Sequence, residues 1–386
     1  MRRGEGLIGV GSALRIDPGA GPERFAVTRD RLEDIRAAAI IDNEVGLPGT
    51  GLVAFISHTF APDAFGSLAL IPKAIVGRRG GVSWLTTIEP VDAPTGEASW
   101  HERLPADLGD PPPPQDRPRF AGSSLPDLHW LVGVADAVAR CKNDELEKVV
   151  LARDHALWAR SPFQIRGITA RLAARFPDCH TFAVQGLVGA TPELLLRRFG
   201  DEVSSQALAG TARRGRDDAE DAELAAALLS SHKDAFEHRL AADSVDLVLR
   251  PRCRELQRSA PHLKVLDNLQ HVATTFEGRL TSAEHLLDVV SDLHPTAAVG
   301  GTPTRAAMAM ISELEQMDRG RYAGPVGWVD GNGDGEVGIA LRCAELSGAR
   351  ARLFAGAGIV AESLPEDELE ETRVKLRAMQ SVLGAS

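Results

Sequence analysis

Residues 353–372 read LFAGAGIVAESLPEDELEET, an apolar stretch followed at once by an acidic one. The apolar stretch, 353–360, predicts a strand that opens into a Gly-Ala-Gly turn, where glycines let backbone N–H groups approach an anion closely. Pro365 predicts the first turn of a terminal helix, because its fixed φ suits that position and it has no N–H to leave unsatisfied. A buried strand therefore leads into a helix whose first turns carry carboxylates.

Two predicted helices carry carboxylates at a spacing that places them on one face. Asp234 and Glu237 are three residues apart on a helix over 231–250, and Glu368 and Glu371 have the same spacing on the terminal helix. Four converging carboxylates would repel one another unless a hard divalent cation lay among them, and magnesium favours such oxygen ligands. Taken alone, acidic helix starts more often face solvent and complement the helix dipole. The pattern is a candidate metal site that needs support from other residues.

The remaining pattern predicts an α+β fold. Strands occur in sets and helices occur in sets, whereas a doubly wound nucleotide-binding fold would alternate them. Arg342 ends a predicted strand in an apolar run, where a guanidinium needs an anionic partner or must reach solvent. Helices are predicted near residues 26–42, 124–141, 161–175, 217–229, 231–250 and 304–317, and strands near 148–157, 263–280, 323–346 and 351–356.

The N-terminal third contains two segments that predict irregular structure. Residues 105–118, PADLGDPPPPQDRP, predict a surface loop or linker, because consecutive prolines remove backbone donors. Gly6, Gly9 and Gly11 lack the strand-to-helix context of a dinucleotide-binding motif and predict a flexible, turn-rich start. Between these segments, residues 51–88 alternate short apolar runs with glycine and proline, as strands do.

Composition and charge narrow the function. The 386 residues are 44% hydrophobic, which suffices for a large core, and the net charge of −11 argues against a nucleic acid partner. No apolar run approaches the roughly 18 residues of a membrane span, and the first residues lack a signal-peptide pattern. The four cysteines are scattered without a CxxC pair, as in a reducing compartment. We therefore expect a cytoplasmic protein with no membrane partner.

Two motifs match metal sites only in part. Residues 330–335, DGNGDG, begin like a calcium loop, but Leu341 occupies the twelfth position, where a glutamate is required. Asn-Gly and Asp-Gly supply the positive φ of tight turns, so we predict a hairpin turn there. His232 and His238 are six residues apart and do not share a helix face, which argues against zinc.

Taken together, several segments resemble the chorismate-binding enzyme family. The resemblance covers roughly residues 120–380, and so many ordered motifs in one chain make coincidence improbable. The motifs are KVVLAR at 148–153, TPELL at 191–195, LAGTAR at 208–213, KDAFEH at 233–238, HPTAA at 294–298, GRYAGPVG at 320–327, GAGIV at 356–360 and EETRVK at 370–375.

The resemblance implies a fold and a substrate. It implies a single α+β domain over residues 1–386, with a catalytic core at 120–380 and a more variable N-terminal part at 1–119. Two sheets are expected to pack as a sandwich, with helices outside and the active site in a cleft. Chorismate is the expected substrate, and we expect a monomer.

The resemblance also implies the residues of the site. Glu237 and Glu371 match the family's glutamates that ligate Mg²⁺, with Asp234 and Glu368 as supporting carboxylates. The metal would hold the ring carboxylate of chorismate. Substrate contacts are implied for Gly210, Thr211, His271, Ala298, Tyr322, Arg342, Gly356, Gly358 and Lys375.

Lys148 and Glu193 indicate the reaction. Lys148 is one of only six lysines among 43 basic residues, and family members that add water at ring carbon 2 resemble this chain in carrying lysine there. A lysine base must be uncharged to accept a proton from water, which requires desolvation or a neighbouring cation. Glu193 matches the family's general acid, which protonates the departing hydroxyl at carbon 4. The pair implies a reversible hydroxyl exchange that forms isochorismate.

Alternatives inside and outside the family stay open. Ala209 argues against aminodeoxychorismate synthesis, and Ala298 resembles the isochorismate formers. Tyr322 and Leu341 resemble the salicylate-forming group, which goes on to eliminate pyruvate. A non-catalytic chorismate-binding paralogue would lack the acid, the base or a metal ligand, and all of these are present. Siderophore synthesis and menaquinone synthesis are both open as the use of the product.

Overall fold

The structure is a computed structural model that describes residues 1–91, 117–267 and 269–384. Of the loop predicted over 105–118, residues 105–116 lie outside the described ranges. No helix in those ranges combines the length and apolar character that crossing a membrane requires.

The helices agree with most of the sequence-based predictions. α3 begins at Ile165, several residues after the predicted Ser-Pro start. α6 was not predicted, because eight residues that are mostly buried give a short apolar run that cannot be told from a strand. In the described ranges the helices are α1 (Arg24–Ala38), α2 (Asp127–Lys142), α3 (Ile165–Arg175), α4 (Asp218–Ser230), α5 (His232–Leu249), α6 (Leu286–Leu293), α7 (Thr304–Glu315) and α8 (Pro365–Leu383), with a 3₁₀ turn at Arg250–Arg252.

Most of the strands belong to two large antiparallel sheets. The strands of the described ranges are β1 (Gly6–Val10), β2 (Leu14–Ile16), β3 (Val53–Ser57), β4 (Leu68–Ile71), β5 (Ala74–Arg79), β6 (Val82–Thr87), β7 (Arg119–Phe120), β8 (Lys148–Trp158), β9 (His180–Val184), β10 (Leu187–Thr191), β11 (Leu194–Phe199), β12 (Glu202–Arg213), β13 (Cys253–Arg258), β14 (His262–Val265), β15 (Leu269–Leu280), β16 (Gly301–Thr302), β17 (Pro325–Asp330), β18 (Gly335–Ile339), β19 (Cys343–Ser347) and β20 (Arg350–Ile359).

The strand order confirms the predicted α+β class. Within the described ranges, one sheet has the order β16-β8-β20-β19-β10-β9, with β7 paired to β8. The other has the order β13-β15-β12-β11-β18-β17-β3-β4-β2, with β14 paired to β15. We call them the seven-stranded and the ten-stranded sheet. A small third sheet has the order β1-β5-β6.

The prediction of a flexible start was wrong. β1 pairs antiparallel with β5, and β2 pairs antiparallel with β4. Gly9 explains the misleading glycine pattern, because a Cβ there would lie 2.6 Å from Pro72 and 2.7 Å from Phe55. The glycine allows a close approach of packed side chains within a strand and does not mark a turn.

The two large sheets share one hydrophobic core. Val149 and Leu151 of β8 belong to the same buried cluster as Leu195 of β11, Ala207 of β12 and Phe276 of β15. Alternate side chains of each strand point to the same face, so these residues form a continuous apolar layer between the sheets. The layer fixes how the ends of the strands face one another.

The chain passes from one large sheet to the other at two short connections. Residues 192–193 join β10 of the seven-stranded sheet to β11 of the ten-stranded sheet, and residues 340–342 join β18 back to β19. The strand and hairpin predicted over 323–346 was therefore only partly right. β17 and β18 form the hairpin, whereas β19 belongs to the other sheet.

The turn of that hairpin is organised by Asp330, as the sequence suggested. Its Oδ1 accepts hydrogen bonds from the backbone N–H groups of Asn332 at 2.9 Å and Asp334 at 3.1 Å, and its Oδ2 accepts one from Gly49 at 3.0 Å. The carboxylate is thus satisfied by backbone donors, as in an Asx turn.

Gly301 sets the position at which β16 pairs with β8. Its φ is +150°, and a Cβ there would lie 2.2 Å from the backbone oxygen of Lys148 and 2.6 Å from the Cβ of Ala307. We expect Gly301→Ala to lower the free energy of unfolding by roughly 2–5 kcal/mol, because the clash adds to the conformational strain. Urea denaturation provides the measurement.

Gly80→Ala is the matched control, since Gly80 also has a positive φ, +56°, but nothing lies within 4 Å of its Cβ position. It should cost only about 1 kcal/mol. Equal losses in the two variants would show that close packing against Lys148 is not what requires glycine at 301.

Candidate active site

A cavity of about 60 Å³ lies between the two large sheets. Its wall includes residues of both sheets, of their two connections and of the helices α5 and α8. Of the residues predicted for the site, Glu193, Gly210, Thr211, Glu237, His271, Ala298, Tyr322, Arg342, Gly356, Gly358, Glu371 and Lys375 all line this cavity. The structure thus brings together residues that are up to 182 positions apart, as Glu193 and Lys375 show.

Glu193 stands in the connection between β10 and β11. Its side chain is buried, and burial raises its pKa to about 7, against opposing effects of the Leu208 backbone and of Lys148, Lys264 and Arg342. The carboxyl group is therefore close to half protonated at neutral pH. A buried carboxyl in this state can donate a proton to a bound substrate.

Lys148 is the first residue of β8 and is completely buried. Its Nζ lies 3.1 Å from Oε1 of Glu237, yet no described residue accepts a hydrogen bond from it in good geometry. Lys148 lies behind Glu237 and does not itself line the cavity. The N–H donors of a buried amine without an acceptor are unsatisfied, and a water molecule or a substrate group can accept hydrogen bonds from them.

The two glycines of β20 correct one sequence-based prediction. Gly356 and Gly358 do not form a turn, because β20 remains paired with β8 as far as Ile359. A Cβ on Gly358 would lie 2.0 Å from Oε1 of Glu237 and 3.0 Å from Cε of Lys148. The glycines therefore provide room for the functional side chains, and this requirement depends on residues that are distant in sequence.

Arg342 places a guanidinium at the cavity without a carboxylate partner. It occupies the connection between β18 and β19 with φ of +48°, and no described carboxylate lies within 4 Å of it. Burial lowers its pKa, but an arginine remains charged at neutral pH. A buried cation of this kind is suited to binding an anionic ligand.

His271 orients the arginine. Arg342 Nη2 donates to Nε2 of His271 at 3.3 Å, so the other ring nitrogen carries the proton and faces Thr211 Oγ1 at 3.2 Å and the oxygen of Gly210 at 3.3 Å. Burial and the charge of Arg342 hold the pKa of His271 far below its usual value. The ring is therefore neutral, as an acceptor from arginine must be.

Tyr322 forms the wall beside the glycines. Its ring stacks on Phe354 with centroids 4.9 Å apart and an interplanar angle of 7°. A Cβ on Gly356 would lie 3.2 Å from the hydroxyl oxygen, so the absence of a side chain there leaves the hydroxyl free to face the cavity. Burial raises the pKa of the phenol, which stays protonated and can donate a hydrogen bond.

The four predicted carboxylates lie on α5 and α8, but only two reach the cavity. Glu237 and Glu371 line it, whereas Glu368 and Asp234 lie behind. Burial, and then the charge of Glu371, raises the pKa of Glu368, and burial with the charges of Glu237 and Glu371 raises that of Asp234. These shifts show that the four groups repel one another.

Lysine ammonium groups offset part of this repulsion. Glu237 pairs with Lys148, Glu371 with Lys375 and Glu368 with Lys233. No three His, Cys, Asp or Glu side chains of the described residues form a ready metal-binding group. Glu237 and Glu371 could hold a magnesium ion, since magnesium commonly binds one or two carboxylates and completes its shell with water and substrate oxygens.

Three basic residues near the site were not predicted: Lys233, Lys264 and Arg319. Arg319 lines the cavity and donates to the backbone oxygens of Val150 at 2.7 Å and Val299 at 3.0 Å. The scarcity of lysine in the sequence was the signal that could have pointed to Lys233 and Lys264. Four of the six lysines, Lys148, Lys233, Lys264 and Lys375, lie at the cavity or directly behind it.

Comparison with known proteins agrees with this geometry. Residues 2–384 match the family described as chorismate binding enzyme. The chain belongs to the chorismate-binding enzyme family. Its fold, two antiparallel sheets with a site between them, is the α+β fold of that family.

The similar members of the family are isochorismate synthases. The isochorismate synthase DhbC of Bacillus subtilis is 41% identical over 265 residues, which are 65% of this chain and 67% of that protein. The isochorismate synthase EntC of Escherichia coli (strain K12) is 43% identical over 257 residues, 65% of this chain and 66% of that protein. The structure of MenF, the menaquinone-specific isochorismate synthase from Escherichia coli, superimposes with a TM-score of 0.81 at 25% identity, covering 99% of this chain and 87% of the other.

The raised pKa of Glu193 predicts a pH-dependent cost in stability. Its value of about 7 in the folded state exceeds the ordinary 4.5, so the contribution of this group is most favourable below about pH 4.5 and is lost as the pH rises through 7. Glu193→Gln, which is neutral at every pH, should gain up to about 3 kcal/mol over the native protein at pH 8. Urea unfolding at pH 5 and pH 8 measures the difference.

The gain should nearly disappear at pH 5, because the native carboxyl is then protonated in the fold. A variant that is equally stable relative to the native protein at both pH values would contradict the raised pKa.

Proposed function

We propose that this protein is an isochorismate synthase, which adds water at ring carbon 2 of chorismate and expels the hydroxyl group at carbon 4. The observation that carries the proposal is a buried carboxyl at the cavity, Glu193, whose pKa is raised to about 7, together with a completely buried lysine, Lys148, directly behind the cavity residue Glu237. The similar proteins DhbC and EntC are isochorismate synthases, which supports the same reaction.

The cationic groups of the cavity fit the two carboxylates of chorismate. Arg342 has no carboxylate partner among the described residues, and its planar guanidinium can bind a carboxylate with two parallel hydrogen bonds. Lys375 donates to the oxygen of Gly356 at 2.9 Å and pairs with Glu371, which holds its ammonium group at the opposite wall. Two anchors at different walls would fix the orientation of a rigid ring.

Glu193 and Lys148 divide the proton transfers between them. As a water oxygen forms its bond to carbon 2, Lys148 accepts the proton that the water loses. The two ring double bonds each shift by one position, the bond from carbon 4 to its hydroxyl oxygen breaks, and Glu193 donates the proton with which this group leaves as water. The reverse reaction exchanges the two roles, as microscopic reversibility requires. Solvent then restores the starting protonation of both groups.

A magnesium ion fits the carboxylates between α5 and α8. Glu237 and Glu371 would hold it, with Asp234 and Glu368 behind them. When bound, the ion supplies a positive charge for the ring carboxylate of the substrate and offsets the mutual repulsion of the four side chains. Burial, and to a smaller extent the neighbouring carboxylates, raise the pKa values of Asp234 and Glu368, so a further cation nearby would stabilise the charged form of both groups.

Product analysis tests the proposed reaction. Chorismate and magnesium incubated with the protein should give isochorismate, separated by chromatography, because Glu193 at the cavity and Lys148 directly behind it supply the acid and the base. Lys148→Met and Glu193→Gln should each lower turnover by roughly 100- to 10,000-fold, the usual contribution of general acid–base catalysis. Equilibrium binding of chorismate should persist in both.

Lys142→Met serves as the control, since Lys142 is exposed at the end of α2. Salicylate together with pyruvate as products would replace the proposal with a salicylate synthase. Unchanged chorismate would favour a non-catalytic chorismate-binding paralogue.

Removal of the metal provides a separate test. We expect EDTA to abolish turnover and excess magnesium to restore it, since the acidic cluster then regains its cation. Glu371→Gln should raise the magnesium concentration needed for half-maximal binding in calorimetry by roughly tenfold or more. Glu366→Gln on the exposed face of the same helix should not. Full turnover in chelator would remove the metal from the proposal.

A further inference from the structure

Lys264 lies directly behind the proposed general acid. It belongs to β14, where it stands opposite His271 of β15. Residues directly opposite one another in an antiparallel pair place their side chains on the same face of the sheet. Because His271 lines the cavity, Lys264 points toward the same interior face.

The ammonium group of Lys264 is held by two oxygen atoms. Its Nζ donates to the backbone oxygen of Pro192 at 2.7 Å and to Oε1 of Gln206 on β12. Pro192 immediately precedes Glu193 and also lines the cavity. The hydrogen bond from Lys264 therefore fixes the short connection from which the acid projects.

Lys264 is not part of the cavity wall itself. With Gln206, it lines a separate groove, together with Arg2, Asp178 and His180. A substitution at 264 can therefore alter the acid without adding or removing a substrate contact.

Three cations act on the Glu193 carboxyl from three different elements. They are Lys148 of β8, Lys264 of β14 and Arg342 of the connection between β18 and β19, and each opposes the effect of burial on the pKa of Glu193. Burial, with a smaller effect of Arg2, lowers the pKa of Lys264 itself to about 8, against Cys179, Glu193 and Asp178. Its charge is thus present at neutral pH and is lost in mildly alkaline solution.

We infer that Lys264 is a positioning residue for the proposed general acid: its bond to Pro192 fixes the place of the Glu193 carboxyl, and its ammonium charge acts on that carboxyl. The inference rests on the proposed function for the role of Glu193. The geometry behind it, from β14 through Pro192 to Glu193, does not depend on that role.

The direction of the effect follows from charge. A nearby cation stabilises the carboxylate, so removal of Lys264 should raise the pKa of Glu193 and keep the acid protonated at higher pH. The fall of kcat/KM at alkaline pH, the alkaline limb, reports deprotonation of the general acid. This limb should therefore move to higher pH. A purely structural role would lower kcat/KM without moving the limb.

The experiment compares Lys264→Met with Lys264→Arg and the control Lys142→Met. Glu193 is titrated without substrate by infrared difference spectroscopy of its carboxyl band, with Glu193→Gln in each background as the reference. In Lys264→Met the midpoint should rise by about one pH unit above that of the native protein. In Lys264→Arg, which keeps the charge, and in Lys142→Met it should stay within about half a unit.

The alkaline limb of kcat/KM, measured for the same variants, should move with the spectroscopic midpoint. An unchanged midpoint in a folded Lys264→Met protein would overturn the inference, as would an equal rise in Lys142→Met. If Lys264→Met does not fold, Gln206→Leu removes the second oxygen that holds the ammonium group, and its midpoint must then differ from the native value.

The two proposals fail in different ways. If the midpoint moves but the limb does not, the charge of Lys264 acts on Glu193 and Glu193 is not the acid, which contradicts the proposed function and the positioning role built on it. If neither moves, the inference about Lys264 fails while the product analysis leaves the proposed reaction intact.

Discussion

The site depends on how the chain crosses between its two large sheets. Two of the crossings are connections of only two or three residues, at 192–193 and at 340–342, and each of these presents one side chain to the cavity, Glu193 or Arg342. Connections this short leave little freedom, because both ends are fixed in paired strands that share one core. The Glu193 carboxyl and the Arg342 guanidinium are consequently held by the sheets and not by mobile loops, which is the arrangement that preorganised sites require.

The second constraint is that buried charged groups need partners of opposite charge, and not every such group at the site has one. Three glutamates near the cavity have lysine partners, but Arg342 has no carboxylate among the described residues, and Glu193 avoids the cost of a buried charge by remaining partly protonated. A fold optimised only for stability would replace such groups with apolar ones. The unmet electrostatic demand is what a doubly charged substrate and a divalent cation can satisfy.

Much of the fold could be predicted from the sequence because its signals are local. Helix starts such as Pro365 and the apolar run of β8 depend on neighbouring residues, so their positions were confirmed. Gly9, Gly356 and Gly358 were misread as turn formers because their requirement comes from Phe55, Tyr322 and Glu237, which are far away along the chain. The assignment of β19 to the other sheet is likewise set by long-range pairing, which a local hairpin pattern does not contain.

For the site, the resemblance to the family predicted most of the residues, and the structure showed how these residues are arranged in space, which a local sequence pattern does not contain. It placed twelve of the predicted residues on one cavity, set Lys148 behind Glu237, and separated the two carboxylates that reach the cavity from the two behind it. Lys264 was missed because its relation to Glu193 arises from the pairing of β14 with β15, although the rarity of lysine would have marked it.

The wall formed by β20 also limits how such an enzyme can diversify. At Gly358 a Cβ would lie 2.0 Å from Oε1 of Glu237, so a side chain introduced there to select among ligands would displace the glutamate. New specificity has to arise where small or flexible side chains face the cavity, as at Ala209, Ala298 and Leu341. Changes of specificity on this scaffold are therefore expected at these three positions and not at Gly358.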